Sequence, residues 1–401
     1  MAIAPRLRAG FLAASLAAAL APAAGHACAF HMDLPEKPLS QQIADSVTLI
    51  AARAAPDDPF RFVPVRLLKG TPATTAPPHL VDAATRHRLA AAPDQAILFA
   101  RDPDGAWTRL LPLDAATGPI VAGMVAQAPR WDAPDAAAAR RDVAADLLAH
   151  PDPRLRRLAL RELDALDYGT LRGGTYPVTA SQLLRDIAGL QDQAYAPIRI
   201  LLLGLVGGDA AEAEIVRQLH RRARAGIATD LGVWTSALLE LRGAAGIATV
   251  DRILLEAGRT PNRDQTAELV RALAVQSASG DPDLRAPIGA ALLRLVQRDP
   301  DAASLLPPAL SAASDRAQTG LVRGLVAARA FTSRVDLLAA TAYLTGAPGS
   351  DGRPSSTVSI GVHVWMPPSM QGFFRRSERV IGSGHVSGLS GAAVSCRGPV
   401  W

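Results

Sequence analysis

The feature that most constrains the fold is a run of short amphipathic segments between about residues 136 and 345. Apolar residues recur there every three or four positions, and glycine, proline and aspartate separate one segment from the next. New segments start near residues 210, 244, 282 and 315, at intervals of roughly 35 residues. This even spacing predicts a stack of helix pairs, and a single irregular helical domain is the alternative.

The segment 150–163 carries the clearest helix signals. Leu155, Leu158 and Leu163 fall on one face of the expected helix. Asp152 is placed to cap it, and Pro153 suits its first turn. This segment resembles the second helix of a HEAT-type repeat, and the resemblance extends over about 136–345. It implies an α-solenoid with a long exposed surface, an architecture that usually binds other macromolecules.

Three arginines project from the polar side of the same segment. They are Arg154, Arg157 and Arg161. Because the guanidinium fork pairs well with carboxylates, we take them as candidate partner-binding residues. Exposed charges more commonly only keep a helix surface solvated, and that alternative stays open.

Residues 28–130 have a different pattern, with short runs that favour strands. Two hairpins are predicted, each with its own turn residues. Their strands cover residues 46–51, 60–67, 96–100 and 107–111. A further strand at 79–82 and a helix over 83–92 lie between the hairpins. Four or five antiparallel strands with one inserted helix predict a small antiparallel β barrel of the OB type.

The order of parts over 28–115 resembles the netrin-like domain of metalloproteinase inhibitors. The residues that carry the resemblance are Cys28, the segment 60–70 ending in Leu-Lys-Gly, and the segment 96–100. The family begins with a cysteine-x-cysteine motif, whereas this chain has Ala29 and Phe30 after Cys28. The cysteines of the family's internal disulfides are missing as well. The resemblance therefore implies an OB-like fold, and we do not carry over the inhibitory activity.

Residues 1–27 have the three parts of a secretory signal peptide. Arg6 and Arg8 come first, an apolar stretch follows over 11–21, and small residues lead up to Ala27. The stretch is shorter than the roughly 20 apolar residues that span a bilayer. We therefore predict cleavage before Cys28 and a periplasmic or secreted protein with no membrane span. A lipid anchor on Cys28 is the alternative, although a lipoprotein signal has an aliphatic residue where Gly25 stands.

The distribution of charge argues against a nucleic-acid partner. The chain carries a formal net charge of +5, but two of its arginines lie in the leader. Residues 347–401 contribute five arginines against two acidic residues. The body of the chain is therefore close to neutral, whereas a nucleic-acid-binding protein presents a basic stripe. We predict a protein partner and no nucleic acid.

Residues that could do chemistry are sparse. His31, His150 and His220 lack the companions that a metal or catalytic site needs, and we interpret them as surface, turn and rim residues. Residues 204–208 lack the strand and lysine of a phosphate loop. We therefore predict no catalytic, metal or cofactor site. Cys28 and Cys396 form a disulfide if export brings them together, and two free thiols are the alternative.

These patterns predict an α+β multidomain protein, an OB-like barrel followed by a solenoid of HEAT-like helix pairs. The expected parts are a signal peptide (1–27), a strand-rich domain (28–130), a helical-repeat domain (131–346) and a Ser/Gly/Arg-rich tail (347–401). We interpret the tail as disordered, or as a chain end altered by a reading-frame error. The expected function is an exported, non-enzymatic scaffold that binds another protein. The alternative is a periplasmic hydrolase or other enzyme with its site at the junction of the two domains.

Overall fold

A computed structural model describes residues 37–71, 76–131, 133, 136–189, 191–255 and 261–346. All of them belong to one compact unit. The signal peptide, His31, the Cys28–Cys396 disulfide and the tail lie outside the described residues and stay predictions.

The described residues contain α-helices throughout and one four-stranded sheet. The helices are α1 (Leu39–Asp45), α2 (Ala83–Ala91), α3 (Thr117–Gln127), α4 (Ala136–Leu147), α5 (Pro153–Asp164), α6 (Tyr168–Arg172), α7 (Ala180–Ala188), α8 (Ala196–Val206), α9 (Asp209–Ala225), α10 (Leu231–Arg242), α11 (Ala244–Val250), α12 (Arg263–Ser279), α13 (Arg285–Arg298), α14 (Leu306–Ala312), α15 (Thr319–Ala327) and α16 (Arg334–Thr345). The strands are β1 (Thr48–Ala54), β2 (Phe62–Lys69), β3 (Ala96–Arg101) and β4 (Trp107–Leu113). The prediction of an α+β chain rich in helices, with a small antiparallel sheet, is confirmed.

The sheet joins the two predicted hairpins side by side in the order β2-β1-β3-β4, with every pair antiparallel. The central pairing sets Ile50 opposite Phe99 and Ala51 opposite Leu98. Because side chains alternate across a strand, β1 and β3 bury residues on both faces. Leu49 and Leu98 join the core shared with the helices, whereas Ile50 and Phe99 form a smaller core under α2.

The OB-like barrel is not confirmed, because the sheet formed by the described residues is open. β2 and β4 are its two edges, and neither pairs with the other. The strand expected at 79–82 forms only an isolated bridge between Leu80 and Arg61. A closed barrel needs hydrogen-bonded pairing of strands around the whole ring. The isolated bridge does not pair β2 with β4, so the four strands do not close.

The helices after α4 pack in a regular order. One series consists of α5, α8, α10, α12, α14 and α16, and each member contacts the next. The helices α7, α9, α11, α13 and α15 lie between them in sequence, and each packs against at least one member of the series. The middle members α8, α10 and α12 bury residues on nearly all sides, as expected for helices enclosed by neighbours.

The main core is continuous from α1 to α16, the first and last of the described helices. It runs from Leu39 in α1, through Leu49 in β1 and Leu163 in α5, to Tyr343 in α16. α1 packs against both α3 and α5. The two predicted domains, 28–130 and 131–346, both contribute to this core. That each of them folds independently therefore stays a prediction.

Candidate partner-binding cleft

The three candidate arginines on the polar side of α5 contact different parts of the chain. Arg154 makes ion pairs with Asp114 at 2.7 Å and with Asp152 at 2.5 Å. Arg161 donates to the backbone carbonyl of Lys37, with one donor distance of 2.6 Å. Both side chains therefore hold the strand-rich part of the chain against α5.

The pKa of Asp114 reflects its contact with Arg154. Burial alone raises the pKa of this carboxyl, but hydrogen bonds from Thr117 and Arg154 outweigh it and lower the pKa to about 2. Asp114 follows β4, so this ion pair connects the end of the sheet to the start of α5.

Arg157 has a different environment, and half of its side chain is exposed. Its guanidinium lies 3.2 Å from Asp192 and 5.9 Å from the ring of Tyr195. It points toward the turn between α7 and α8, and not toward Arg154 or Arg161. Of the three candidates, it is the one that borders a cleft.

This cleft, which we call the α5–α7 cleft, has a volume of about 190 Å³. It lies between α5, α7 and the start of α8. Four buried apolar residues line it, from four different places in the chain. They are Leu148, Leu160, Val178 and Leu183. The cleft is therefore a product of tertiary packing and not of any one helix.

The charged side chains around the cleft are mostly arginines. Arg156 and Arg157 come from α5, Arg185 from α7 and Arg199 from α8, whereas the acids are Asp186 and Asp192. Arg156 donates to the carbonyls of His150 and Pro151, each at 2.9 Å, which fixes it at the start of α5. Arg185 is exposed at the far side.

Arg199 is the buried charge of the cleft, with 8% of its side chain exposed. It donates to the carbonyl of Asp192 at 3.0 Å, whereas its distance to the carboxylate of Asp192 is 3.9 Å. Burial lowers the pKa of Arg199, and the nearby carboxylates of Asp186 and Asp192 raise it. An arginine stays charged under these conditions, so the cleft has a permanent positive charge in its wall.

Asp192 lies between Arg157 and Arg199 and adopts a left-handed backbone conformation, with φ at 55°. Non-glycine residues adopt this conformation at a cost of about 1–3 kcal/mol, which the surrounding structure must offset. Here the contacts of Asp192 with the two arginines provide compensation. This cluster could not be predicted from the sequence, because its members are spread over more than forty residues.

α5 is also fixed by a residue that the sequence analysis missed. Glu162 is only 4% exposed, and its carboxylate accepts hydrogen bonds from the backbone N–H and the hydroxyl of Ser40. A signal was present in the sequence, because Glu162 lies four residues after Leu158 and four before Leu166, on the apolar stripe. An acidic residue at such a position needs a polar partner when the helix packs.

A larger cavity of about 740 Å³ lies elsewhere, between α9 and α12. His220, Arg224 and Arg252 line it together with the capping residues Asn262 and Gln265. This places His220 at the rim of its helix, as the sequence suggested. The residues that line this cavity come from both sides of the gap at 256–260 in the described ranges, and we build no site on it.

His150 lies in the turn before α5. The Nδ1 atom of His150 accepts a hydrogen bond from the backbone N–H of Asp152 at 3.0 Å, as in a turn before a helix. Among the described residues, no group of three or more His, Cys, Asp or Glu side chains is arranged to hold a metal ion. None of the helices described is long and apolar enough to cross a membrane.

Comparison with known proteins returned no match: no protein-family model, no curated protein and no solved structure is similar to this chain.

Proposed function

We propose that this chain is an exported, non-enzymatic scaffold that binds another protein through the surface of a HEAT-like helical repeat. The observation that carries the proposal is the packing order of the helices. Each member of the series α5, α8, α10, α12, α14 and α16 contacts the next, and one or two further helices lie between successive members in the sequence. Stacks of this kind present extended surfaces that suit protein partners.

The export part of the proposal rests on the sequence of residues 1–27. The basic start, the short apolar stretch and the small residues before Cys28 are the support for a periplasmic or secreted location.

Within this proposal, the strand-rich part covers one end of the helical stack. α1 packs against α5, and the side chains of Leu39 and Ile43 are fully buried there. Repeat stacks need such a cover, because a terminal repeat otherwise exposes its apolar face. We therefore assign residues 37–130 a stabilising role and place partner binding on the helices.

The contact surface proposed is the α5–α7 cleft, with Arg157 as its outermost candidate. Arg154 and Arg161 are engaged with Asp114 and with the carbonyl of Lys37. Changing them would disturb the fold as well as any binding. Arg185 replaces them in the proposal, because it is exposed on the opposite wall of the same cleft.

The test is capture of proteins from a periplasmic extract on the immobilised chain, followed by mass spectrometry. The double variant Arg157→Glu/Arg185→Glu should lose a specific captured protein while the chain stays folded, with a melting temperature lowered only by the loss of the half-exposed Arg157–Asp192 ion pair. The matched control is Arg323→Glu, which reverses an exposed arginine on α15, outside the cleft. If the double variant captures the same proteins as the wild type, the cleft is not the contact surface. If His150→Ala or His220→Ala abolishes the biological activity with the fold intact, the scaffold proposal is wrong and the enzyme alternative replaces it.

A further inference from the structure

We propose that the outward face of α16 is a homodimer interface, on which α16 of a second copy of this chain packs in the antiparallel direction. The face consists of four exposed residues, and we call it the α16 stripe: Val335, Leu338, Ala342 and Thr345. The proposal does not depend on the scaffold function or on the α5–α7 cleft. It rests on the exposure of the stripe, on the order of its side chains and on its lack of charge.

The α16 stripe is an exposed apolar surface at the end of the helical stack. Val335 is 73% exposed and Leu338 is 69% exposed. No other helix in the described ranges exposes more than one large apolar side chain. The opposite side of α16 carries Ala340 and Tyr343, which are buried in the main core. Because each pair in a repeat stack covers the apolar face of its neighbour, a stack that ends on an apolar face needs a partner there.

The spacing of the stripe favours a single helix as that partner. Its residues follow one another at steps of three, four and three positions, which is the spacing of the a and d positions in a coiled coil. Such a seam is narrower than the face that a helix buries in a globular core. One helix laid along α16 is therefore sufficient to cover the stripe.

The order of the side chains makes the stripe complementary to itself in the opposite direction. In a two-fold pair centred at the level of Ala340, Leu338 of each copy lies across from Ala342 of the other. Val335 lies across from Thr345 in the same way. Each layer thus combines a larger with a smaller side chain, so the two helices fill the space between them. A parallel pair would set leucine against leucine in one layer and leave a gap between two alanines in the next.

Pairing of the stripe buries no charge. The charged residues of α16 are Arg334 and Asp336, and both belong to its first turn. In an antiparallel pair the two first turns lie at opposite ends, so the like charges stay apart and the helix dipoles are favourably opposed. The hydroxyl of Thr345 donates to the carbonyl of Thr341 at 2.8 Å, so it already has a partner when the stripe becomes buried. A neutral, self-complementary stripe fits a second copy better than it fits an acidic or basic partner.

Sedimentation equilibrium of the full chain tests the proposal. The stripe extends over only about 15 Å of helix, so we expect a weak dimer with a dissociation constant on the order of 10–100 µM. Species larger than a dimer should not form, because a two-fold interface uses the same surface on both copies. A wild type that stays monomeric up to several hundred micromolar, roughly ten times the expected constant, would overturn the proposal.

A charged substitution locates the interface. Leu338→Glu should weaken dimerisation at least about tenfold, because it places a carboxylate between the two helices. The matched control is Leu293→Glu, which changes an exposed leucine on α13 and should leave the dimer intact. Both variants should keep the circular-dichroism spectrum of the wild type, since both leucines are exposed. Equal loss of the dimer in the two variants would contradict an interface on α16.

An exchange of the two central side chains tests the antiparallel register. Leu338→Ala should weaken the dimer about tenfold, because both central layers then contain only alanine. The double variant Leu338→Ala/Ala342→Leu again sets a larger side chain across from a smaller one and should recover most of the affinity. A double variant as weak as Leu338→Ala would overturn the register. If the wild type is monomeric and Leu338→Glu instead loses a protein captured from a periplasmic extract, the stripe binds that protein and the homodimer proposal is wrong.

Discussion

Glu162 of α5 caps the amino end of α1 through Ser40. The backbone N–H of Ser40 donates to Oε1 of Glu162 at 3.1 Å, and the Ser40 hydroxyl donates to Oε2 at 2.5 Å. Pro38, the residue at the N-cap position, supplies no side-chain cap of its own. A residue 122 positions away thus satisfies backbone donors that a seven-residue helix would otherwise leave unpaired.

The other end of α1 has a matching contact. The Lys69 ammonium donates to the carbonyls of Ile43 and Ala44, at 2.7 and 2.9 Å. A negative group at the amino end and a positive group at the carboxyl end both oppose the helix dipole. A short helix is marginal by itself, so these two contacts fix its position between the sheet and α5.

Replacing Glu162 should therefore destabilise the whole molecule and not only α1. Glu162→Ala leaves the Ser40 donors buried without a partner, which costs about 1–3 kcal/mol. We expect Ser40→Ala to cost about 1 kcal/mol, because the backbone N–H contact remains. The free energy of unfolding, measured in urea, tests both. The double variant should cost less than the sum of the single ones, and strict additivity would show that the two side chains do not interact.

The buried carboxyl group of Glu162 should also make the free energy of unfolding depend on pH. Burial raises the pKa of Glu162, although the hydrogen bonds from Ser40 and the nearby Arg161 lower it. The folded protein therefore keeps this proton at a pH where the unfolded chain, near its ordinary value of about 4.3, has lost it. The contribution of Glu162 to the free energy of unfolding must fall as pH rises from about 4 through the raised pKa.

Urea unfolding across this pH range, on the wild type and on Glu162→Gln, measures that contribution. The neutral amide does not titrate, so the wild type should lose more free energy of unfolding than the variant as pH rises. Parallel curves for the two proteins would mean that the pKa of Glu162 is not raised in the folded state.

Local signals predicted much of the secondary structure. The two hairpins have their turn residues within a few positions of the strands they join, at 55–59 and 102–105. The helix boundaries likewise follow from glycine, proline and capping residues, as at Asp152 and Pro153. The pairing of β1 with β3 could not be predicted this way, because the two strands are more than forty residues apart and no turn fixes their register.

In the candidate site, too, local features could be predicted from the sequence and long-range contacts could not. Helical periodicity correctly placed Arg154, Arg157 and Arg161 on the polar side of α5. Periodicity predicts the face of the helix on which a side chain lies, but it does not predict which residue of another element the side chain contacts. The contacts of Arg154 with Asp114, and of Arg157 with Asp192, arise from tertiary packing. The α5–α7 cleft could not be found from the sequence for this reason.

The apolar side of α5 can be tested directly. Leu158 is buried in the main core, so Leu158→Asp introduces a charge without a partner and should cost several kcal/mol. The control is Ser181→Asp at an exposed position on α7, which should change the free energy of unfolding by no more than about 0.5 kcal/mol. Thermal unfolding followed by circular dichroism compares the two. A melting temperature of Leu158→Asp equal to that of the wild type would mean that this face is not part of the core.

The independence of the helical part gives a separate prediction. A fragment of residues 136–346 keeps the whole series from α5 to α16 and loses α1 and the sheet. We expect a strongly helical circular-dichroism spectrum, because contacts between successive helices do not need the strand-rich part. Its melting temperature should be lower than that of the full chain, since the cover of α5 by Leu39 and Ile43 is gone. A spectrum of coil would show that the two parts fold only together.

A close backbone approach between α8 and α10 tests the packing order of the helices. A Cβ atom added at Gly204 in α8 would lie 2.7 Å from the Cα atom and 2.9 Å from the Cβ atom of Ala237 in α10. The positions of both atoms are set by the backbone of α10, so no side-chain rotation can move them. Gly204→Ala must therefore push α8 and α10 apart, which should lower the free energy of unfolding by about 1–3 kcal/mol. Gly324 in α15 is also helical but has open space at the same position. Gly324→Ala should stabilise the protein by about 0.4–1 kcal/mol, because it restricts only the unfolded chain. Opposite signs in urea unfolding support direct packing of α8 on α10, whereas stabilisation by both variants would contradict it.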